Sequence, residues 1–122
     1  MTTRAIRLPR DRSCAALARR FLEQQLAAEL SPRALNDAKL VASELVDNAY
    51  LHGRGLIELV LDRRQDRVRV EVIDQGQGAA VKIRRRAARD LGGHGLRLVQ
   101  QLSCAWGAHQ GTTHVWAELP VR

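Results

Sequence analysis

The chain has 122 residues, enough for one domain around a single core. Its balance of 45% hydrophobic and 27% charged residues is that of a folded globular chain and excludes wholesale disorder. The net charge of +7 invites a nucleic-acid reading, yet only 3% of residues are aromatic, so the stacking platforms of single-strand binders are nearly absent.

No apolar run approaches the roughly 18 residues of a membrane span. The stretch MTTRAIRLPR has no apolar core of the kind a secretory signal needs. Cys14 and Cys104 are too far apart for a C-x-x-C redox pair or a four-ligand zinc site, and His52, His94, His109 and His114 form no ligand spacing. The expectation is a reduced, cytoplasmic protein. Its basicity is concentrated. Residues 1–20 carry six arginines against Asp11, and residues 79–94 carry Lys82, Arg84, Arg85, Arg86 and Arg89 against Asp90. These segments, at +5 and +4, exceed the total of +7 by two, so the body of the chain is slightly acidic.

In chain order, Ala5–Leu8 alternates weakly and reads as a short edge strand. Asp11 or Ser13 caps a helix running to about Leu30, with Ala16, Leu17, Phe21, Leu22, Leu26 and Leu30 on one face. Ser31-Pro32 restarts the chain as a second helix, which continues to about Leu51 and ends at His52-Gly53. The two helices form a hairpin or a sharp bend. Two strands follow, Leu56–Asp62 and Arg67–Asp74, joined by the polar turn Arg63–Asp66. In the second, Val68, Val70 and Val72 point one way and Arg67, Arg69 and Glu71 the other. Gln75–Gly95 breaks all periodicity, with glycines at 76, 78, 92, 93 and 95. A short helix, Leu96–Leu102, leads into a hairpin of Cys104–His109 and Thr113–Leu119 around Gln110-Gly111. The order β α α β β loop α β β predicts an α/β (α+β) two-layer sandwich, one domain over 1–122, with helices on one face of a mixed, mostly antiparallel sheet.

Three constellations carry chemistry. The second helix is apolar nearly all round, yet Glu44 and Asn48 stand one turn apart on one face with Asp47 beside them. A carboxylate and an amide oxygen about 6 Å apart along a helix can hold a hard cation and orient a nucleophile. The same spacing also suits a solvated stripe on an amphipathic helix. Next, Asp74-Gln-Gly76-Gln-Gly78 ends the cleanest strand, placing a carboxylate where backbone can approach a planar ligand; an ordinary strand-ending turn uses the same residues. It is not a dinucleotide fingerprint, since the third glycine is missing and the acid precedes the glycines, and no P-loop motif occurs in the chain. Last, Gly92-Gly93-His94-Gly95-Leu96 opens directly into a helix, offering either free amides to a phosphate or a hinge.

The order of these three matters more than any one of them. Leu40-Val-Ala-Ser-Glu44-Leu-Val-Asp-Asn48-Ala-Tyr-Leu-His52-Gly53 resembles the N box of the GHKL (histidine kinase-like) ATP-binding superfamily. Asp74-Gln-Gly76-Gln-Gly78 resembles its first glycine box, and Gly93-His94-Gly95-Leu96-Arg-Leu-Val its second. The resemblance spans about Ala16 to Pro120, and the wording S-E-L-V-x-N-A-x-x-H-G looks most like the anti-sigma-factor serine/threonine kinases. It implies a Bergerat-type ATP-binding fold with ATP and Mg²⁺ as cofactors. By that resemblance Asp74 receives the adenine amino group, with Gly76 beside it and Gly78 against the purine. Asn48 gives its amide oxygen to Mg²⁺, and Glu44 is the general base acting on a protein serine or on water. Gly93, His94, Gly95 and Leu96 line the phosphates, Lys82 serves them from a lid over about residues 79–94, and Thr113 completes the nucleotide contacts.

Two positions depart from the family's pattern. Related sequences usually place Thr just before the V-W pair; here His114 stands there, with Thr112 and Thr113 upstream, so either the strand is shifted or the contact is altered. Asp47 occupies a position where Thr is frequent. The implied function is an ATP-dependent switch kinase that binds a sigma factor or phosphorylates an anti-sigma antagonist, with homodimerisation suggested by the same resemblance. The alternative is a non-catalytic binding module of the same fold with weak or no nucleotide binding. A DNA-binding protein is a third class, but neither helix-turn-helix wording nor zinc spacing supports it, and no direct nucleic-acid or membrane partner is expected.

Overall fold

The structure is a computed structural model, and it describes residues 2–77, 94–109 and 112–122. Eight elements follow in the order β1 (Thr2–Leu8), α1 (Cys14–Leu26), α2 (Pro32–His52), β2 (Ile57–Arg63), β3 (Arg67–Gln77), α3 (His94–Leu102), β4 (Ala105–His109) and β5 (Thr112–Pro120). Among the described residues the strands form one sheet in the order β1-β2-β3-β5-β4. Every pairing is antiparallel, the limit of the mostly antiparallel sheet expected. The turn at Gln110-Gly111 and the lid segment lie outside the described residues.

Period-2 alternation puts Ile57, Leu59 and Leu61, then Val68, Val70 and Val72, then Val115, Ala117 and Leu119 on one buried face. The helices cover that face. From α1 come Ala18, Leu22 and Leu26, and from α2 Ala38, Val41, Ala42, Leu45 and Val46, all fully or almost fully buried. α2 is the hub, packing against α1, α3, β2, β3 and β5. Its start is set locally: Ser31 is extended at φ −63° and ψ 157°, its hydroxyl accepts from Ala34 N at 3.1 Å, and Pro32 opens the helix.

Among the described residues the opposite sheet face carries no helix and is held by charges. Arg67 and Arg69 reach Glu118 at 3.0 and 3.4 Å, His114 Nδ1 meets Glu71 at 2.8 Å, and the Arg69 guanidinium lies 4.2 Å from the Trp116 ring centre. Trp116 is therefore a hairpin-packing residue, and Trp106 packs against the core.

Several expectations are corrected. β1 begins at Thr2, pairing with β2 from Thr2↔Arg63 to Leu8↔Ile57, so the edge strand is longer than Ala5–Leu8. α1 ends at Leu26, with Leu30 buried beyond it. Its inner stripe is Cys14-Ala18-Leu22-Leu26 at i, i+4 spacing, which turns Ala16 about 200° away from Cys14 and into solvent. Ser13 makes no capping bond with its side chain; Asp11 instead accepts from Ser13 N at 2.8 Å. On α2, Leu40 is 39% exposed, so that helix is apolar nearly all round without being buried on every side.

The basic N-terminal stretch is partly internal. Arg4 donates to the Gln25 carbonyl and to Glu29 (2.7 Å), and Arg19 donates to Ser43 Oγ at 3.0 Å, tying β1 to α1 and α1 to α2. No described helix is long and apolar enough to cross a membrane. Ser31→Ala, which removes the bond that starts α2, should lower stability by about 1 kcal/mol in urea unfolding. An unchanged midpoint would show that the cap contributes nothing.

Candidate nucleotide site

The site forms where the end of β3 meets the end of α2. Asp74, on the last inward position of the β3 ladder before its irregularity, is 2% exposed. Its Oδ1 accepts from Gly76 N at 2.6 Å, with Arg54 N farther off at 3.5 Å. Its Oδ2 is shielded from solvent and has no hydrogen-bond partner among the described residues. A buried carboxylate oxygen without a donor is costly, and a ligand that brings one recovers that cost. The pairing of β3 with β5 shifts register between Asp74 and Gln77, and this irregularity gives Gly76 the room to fold its amide back onto Asp74.

Two glycines set how closely the helix can approach. Gly53 caps α2 at φ −87°, a conformation open to any residue, so its backbone does not demand glycine. Space demands it: a Cβ there would lie 2.2 Å from Asp74 Oδ2 and 2.6 Å from the Ala49 carbonyl oxygen. Gly55 has φ +65°, the left-handed region, and its Cβ would lie 2.0 Å from Gln75 Oε1. The intervening backbone is stitched to the strand. Gln75 N donates to Arg54 O at 2.8 Å, and Leu56 N to Gln75 Oε1 at 2.9 Å.

Farther back along α2, Asn48 Oδ1 is also shielded from solvent with no partner among the described residues. Glu44 lies one turn before it. Burial, reinforced by the negative charge of Asp47, raises the Glu44 carboxyl above its ordinary value. Burial likewise raises Asp47, against an opposing pull from Arg19. The Cys14 thiol is raised by burial and then by Asp47. Asp47 therefore has its electrostatic partners on α1, and from that side adds charge against Glu44. From Glu44 to Gly53 the helix axis covers about 13 Å, a length that a base, ribose and triphosphate can span.

The family model of the histidine kinase-like ATPase domain matches residues 8–118. The chain belongs to that family. A search of curated proteins finds no sequence match. The match covers all three motifs that resemble the GHKL boxes, and the antiparallel sheet covered by helices agrees with the expected fold.

Against that family frame, the residues singled out in the sequence fall into three groups. Glu44 and Asn48 share a face of α2, and Asp74 and Gly76 are bonded to each other at the end of that helix. His94, Gly95 and Leu96 form the first turn of α3, which packs against α2, and Thr113 is the register partner of Asp74. Gly78, Lys82 and Gly93 lie outside the described residues. His114 pairs with Ile73 instead, and its ring turns to the sheet face opposite α1 and α2 to meet Glu71. The threonine beside Asp74 in this sheet is thus Thr113, one residue upstream of the histidine.

Sequence patterns missed Arg10. Its Nε donates to Gly55 O at 2.7 Å, and one terminal nitrogen donates to Ala49 O and Tyr50 O at 3.0 and 2.9 Å. A cation on the last carbonyls of a helix is favourable in itself. Nothing in local spacing signals it, because its partners lie 39 to 45 residues away.

Gly53→Ala should destabilise the fold by about 1–3 kcal/mol in urea unfolding, since neither the carboxylate nor the Ala49 carbonyl can yield without disturbing the helix end. Unchanged stability would mean that the close approach is not maintained in solution. The carboxyls of Glu44 and Asp47 bind protons more readily in the folded chain than in the unfolded one, so their ionised forms reduce stability. That loss is absent below the unfolded values near pH 4 and grows as pH rises through the raised folded values. Asp47→Asn should therefore raise the thermal midpoint at pH 7, with the gain shrinking toward pH 4. A lowered midpoint at pH 7 would contradict this.

Proposed function

We propose that this chain is an ATP- and Mg²⁺-dependent regulatory protein of the anti-sigma-factor serine/threonine kinase type, which binds a sigma factor or phosphorylates a serine or threonine on an antagonist protein. The observation that carries the nucleotide part is the buried Oδ2 of Asp74 at the end of β3, without a hydrogen-bond partner among the described residues, in a member of the histidine kinase-like ATPase family. An exocyclic amino group is the donor that such an acceptor lacks. A guanine, with a carbonyl oxygen at the same ring position, would set acceptor against acceptor there.

The residues farther along α2 suit the phosphate end. Asn48 Oδ1 is a shielded amide oxygen without a partner among the described residues, the hard neutral ligand that Mg²⁺ accepts alongside phosphate oxygens. Asn48 would hold the ion, which when bound supplies charge neutralisation for the triphosphate. Glu44 then works as the base, removing the proton from an attacking hydroxyl. Its raised carboxyl is a stronger base than that of an ordinary glutamate. Phosphoryl transfer needs positioning and charge more than covalent chemistry, so a carboxylate, an amide and the amides opening α3 are a sufficient protein contribution. The anti-sigma assignment rests on the N-box wording around Glu44 and Asn48.

Glu44→Ala separates a kinase from a passive binding module. With labelled ATP, Mg²⁺ and a candidate antagonist protein, the wild type should transfer phosphate. The variant should lose transfer by at least about a hundredfold, the usual contribution of a general base, while binding ATP as before. Transfer that persists in Glu44→Ala would remove this residue from the mechanism. ATP binding without transfer to any antagonist would favour the non-catalytic module.

A further inference from the structure

The base-recognition end of the site depends on a turn that has little of its own to hold it. Residues 53–56 form no helix or strand, and Arg54, Gly55 and Leu56 are exposed. Yet Gly53 lies against Asp74 Oδ2, Arg54 O accepts from Gln75 N, and Leu56 N donates to Gln75 Oε1. Whatever fixes this turn fixes the surroundings of the Asp74 carboxylate.

Arg10 brackets it. The side chain enters from the segment between β1 and α1 and bonds carbonyls on both sides of Gly53: Ala49 and Tyr50 before it, Gly55 after it. Its second terminal nitrogen is shielded from solvent and has no hydrogen-bond partner among the described residues, while the Nε–Gly55 bond lies at the surface, so the half-buried guanidinium is enclosed on its helix side. A planar fork with fixed donor directions can hold two such points at a set separation; an ammonium can satisfy the helix end but has no such fork.

We propose that Arg10 is a positioning residue for base recognition: by clamping both ends of the turn that contains Gly53, it sets where the Asp74 carboxylate stands and so the preference for a 6-aminopurine. This rests on the nucleotide reading of the site. Arg10 touches no ligand in that account. It acts through the Ala49–Gly55 backbone, and the basic N-terminal stretch thereby contributes to a site at the far end of α2.

The test compares wild type, Arg10→Met and Arg10→Lys by titration with ATP and with inosine triphosphate, whose 6-oxo group cannot donate, and by amide hydrogen exchange. The wild type should prefer ATP. Arg10→Met should shrink that preference by about tenfold, the scale of one misplaced hydrogen bond to a charged group. It should also speed exchange at the Gln75 and Gly76 amides, leaving those of Leu59 and Val70 in the sheet core unchanged. Arg10→Lys should recover much of the thermal midpoint, since the positive charge at the helix end returns, but not the preference. An unchanged preference in Arg10→Met, or exchange that rises equally across the sheet, would reduce Arg10 to general stabilisation and overturn the proposal. Equal binding of both nucleotides by the wild type would overturn the nucleotide reading instead, and the exchange pattern would still decide whether the clamp is local.

Discussion

A carboxylate buried against the end of a helix is an expensive arrangement, and the Asp74–Gly53 contact is the constraint around which this domain is organised. The negative ends of helix carbonyls and a carboxylate repel, yet here Asp74 sits beside the last turn of α2, one oxygen bonded to Gly76 N and the other without a donor among the described residues. The arrangement holds because three neighbours supply what the carboxylate does not. The missing side chain at Gly53 gives it space, the register shift in β3 returns the Gly76 amide, and Arg10 neutralises the carbonyls on the other side of the turn.

From that contact the polarity of the site follows along α2. One end offers an unpartnered carboxylate oxygen enclosed by backbone, suited to a flat group with an amino donor. The other offers an amide oxygen without a partner among the described residues and a carboxyl held above its ordinary value, suited to meet a cation and to accept a proton. The core of α2 is buried on the sheet side, so the helix is a rigid ruler between the two functions. Asp47, fixed electrostatically from α1, adjusts Glu44 without standing on the Glu44–Asn48 line.

Much of this was legible in the sequence because it is local. Ser31-Pro32 marks the start of α2, the alternation of Val68, Val70 and Val72 marks the buried side of β3, and the spacing of Glu44 and Asn48 puts both on one face whatever the tertiary fold. One error arose where a face depends on one residue's phase: Ala16 is apolar but lies two positions from the Cys14–Leu26 stripe. The sequence left open whether His114 or Thr113 stands beside Asp74, because one residue in a strand means the opposite face. The clamp at Arg10 was not legible at all. Its partners are carbonyls, which carry no residue-type signal, and they lie tens of residues away. The +7 charge looks different as a result: part of its N-terminal share, Arg4, Arg10 and Arg19, is engaged in hydrogen bonds within the fold.

The most direct test of the account is a calorimetric titration of ATP with Mg²⁺ into wild type and Asp74→Asn. The account predicts saturable binding by the wild type and at least about tenfold weaker binding by the variant, because an amide in place of the carboxylate loses a charge-assisted acceptor. Equal affinities in the two proteins would contradict it.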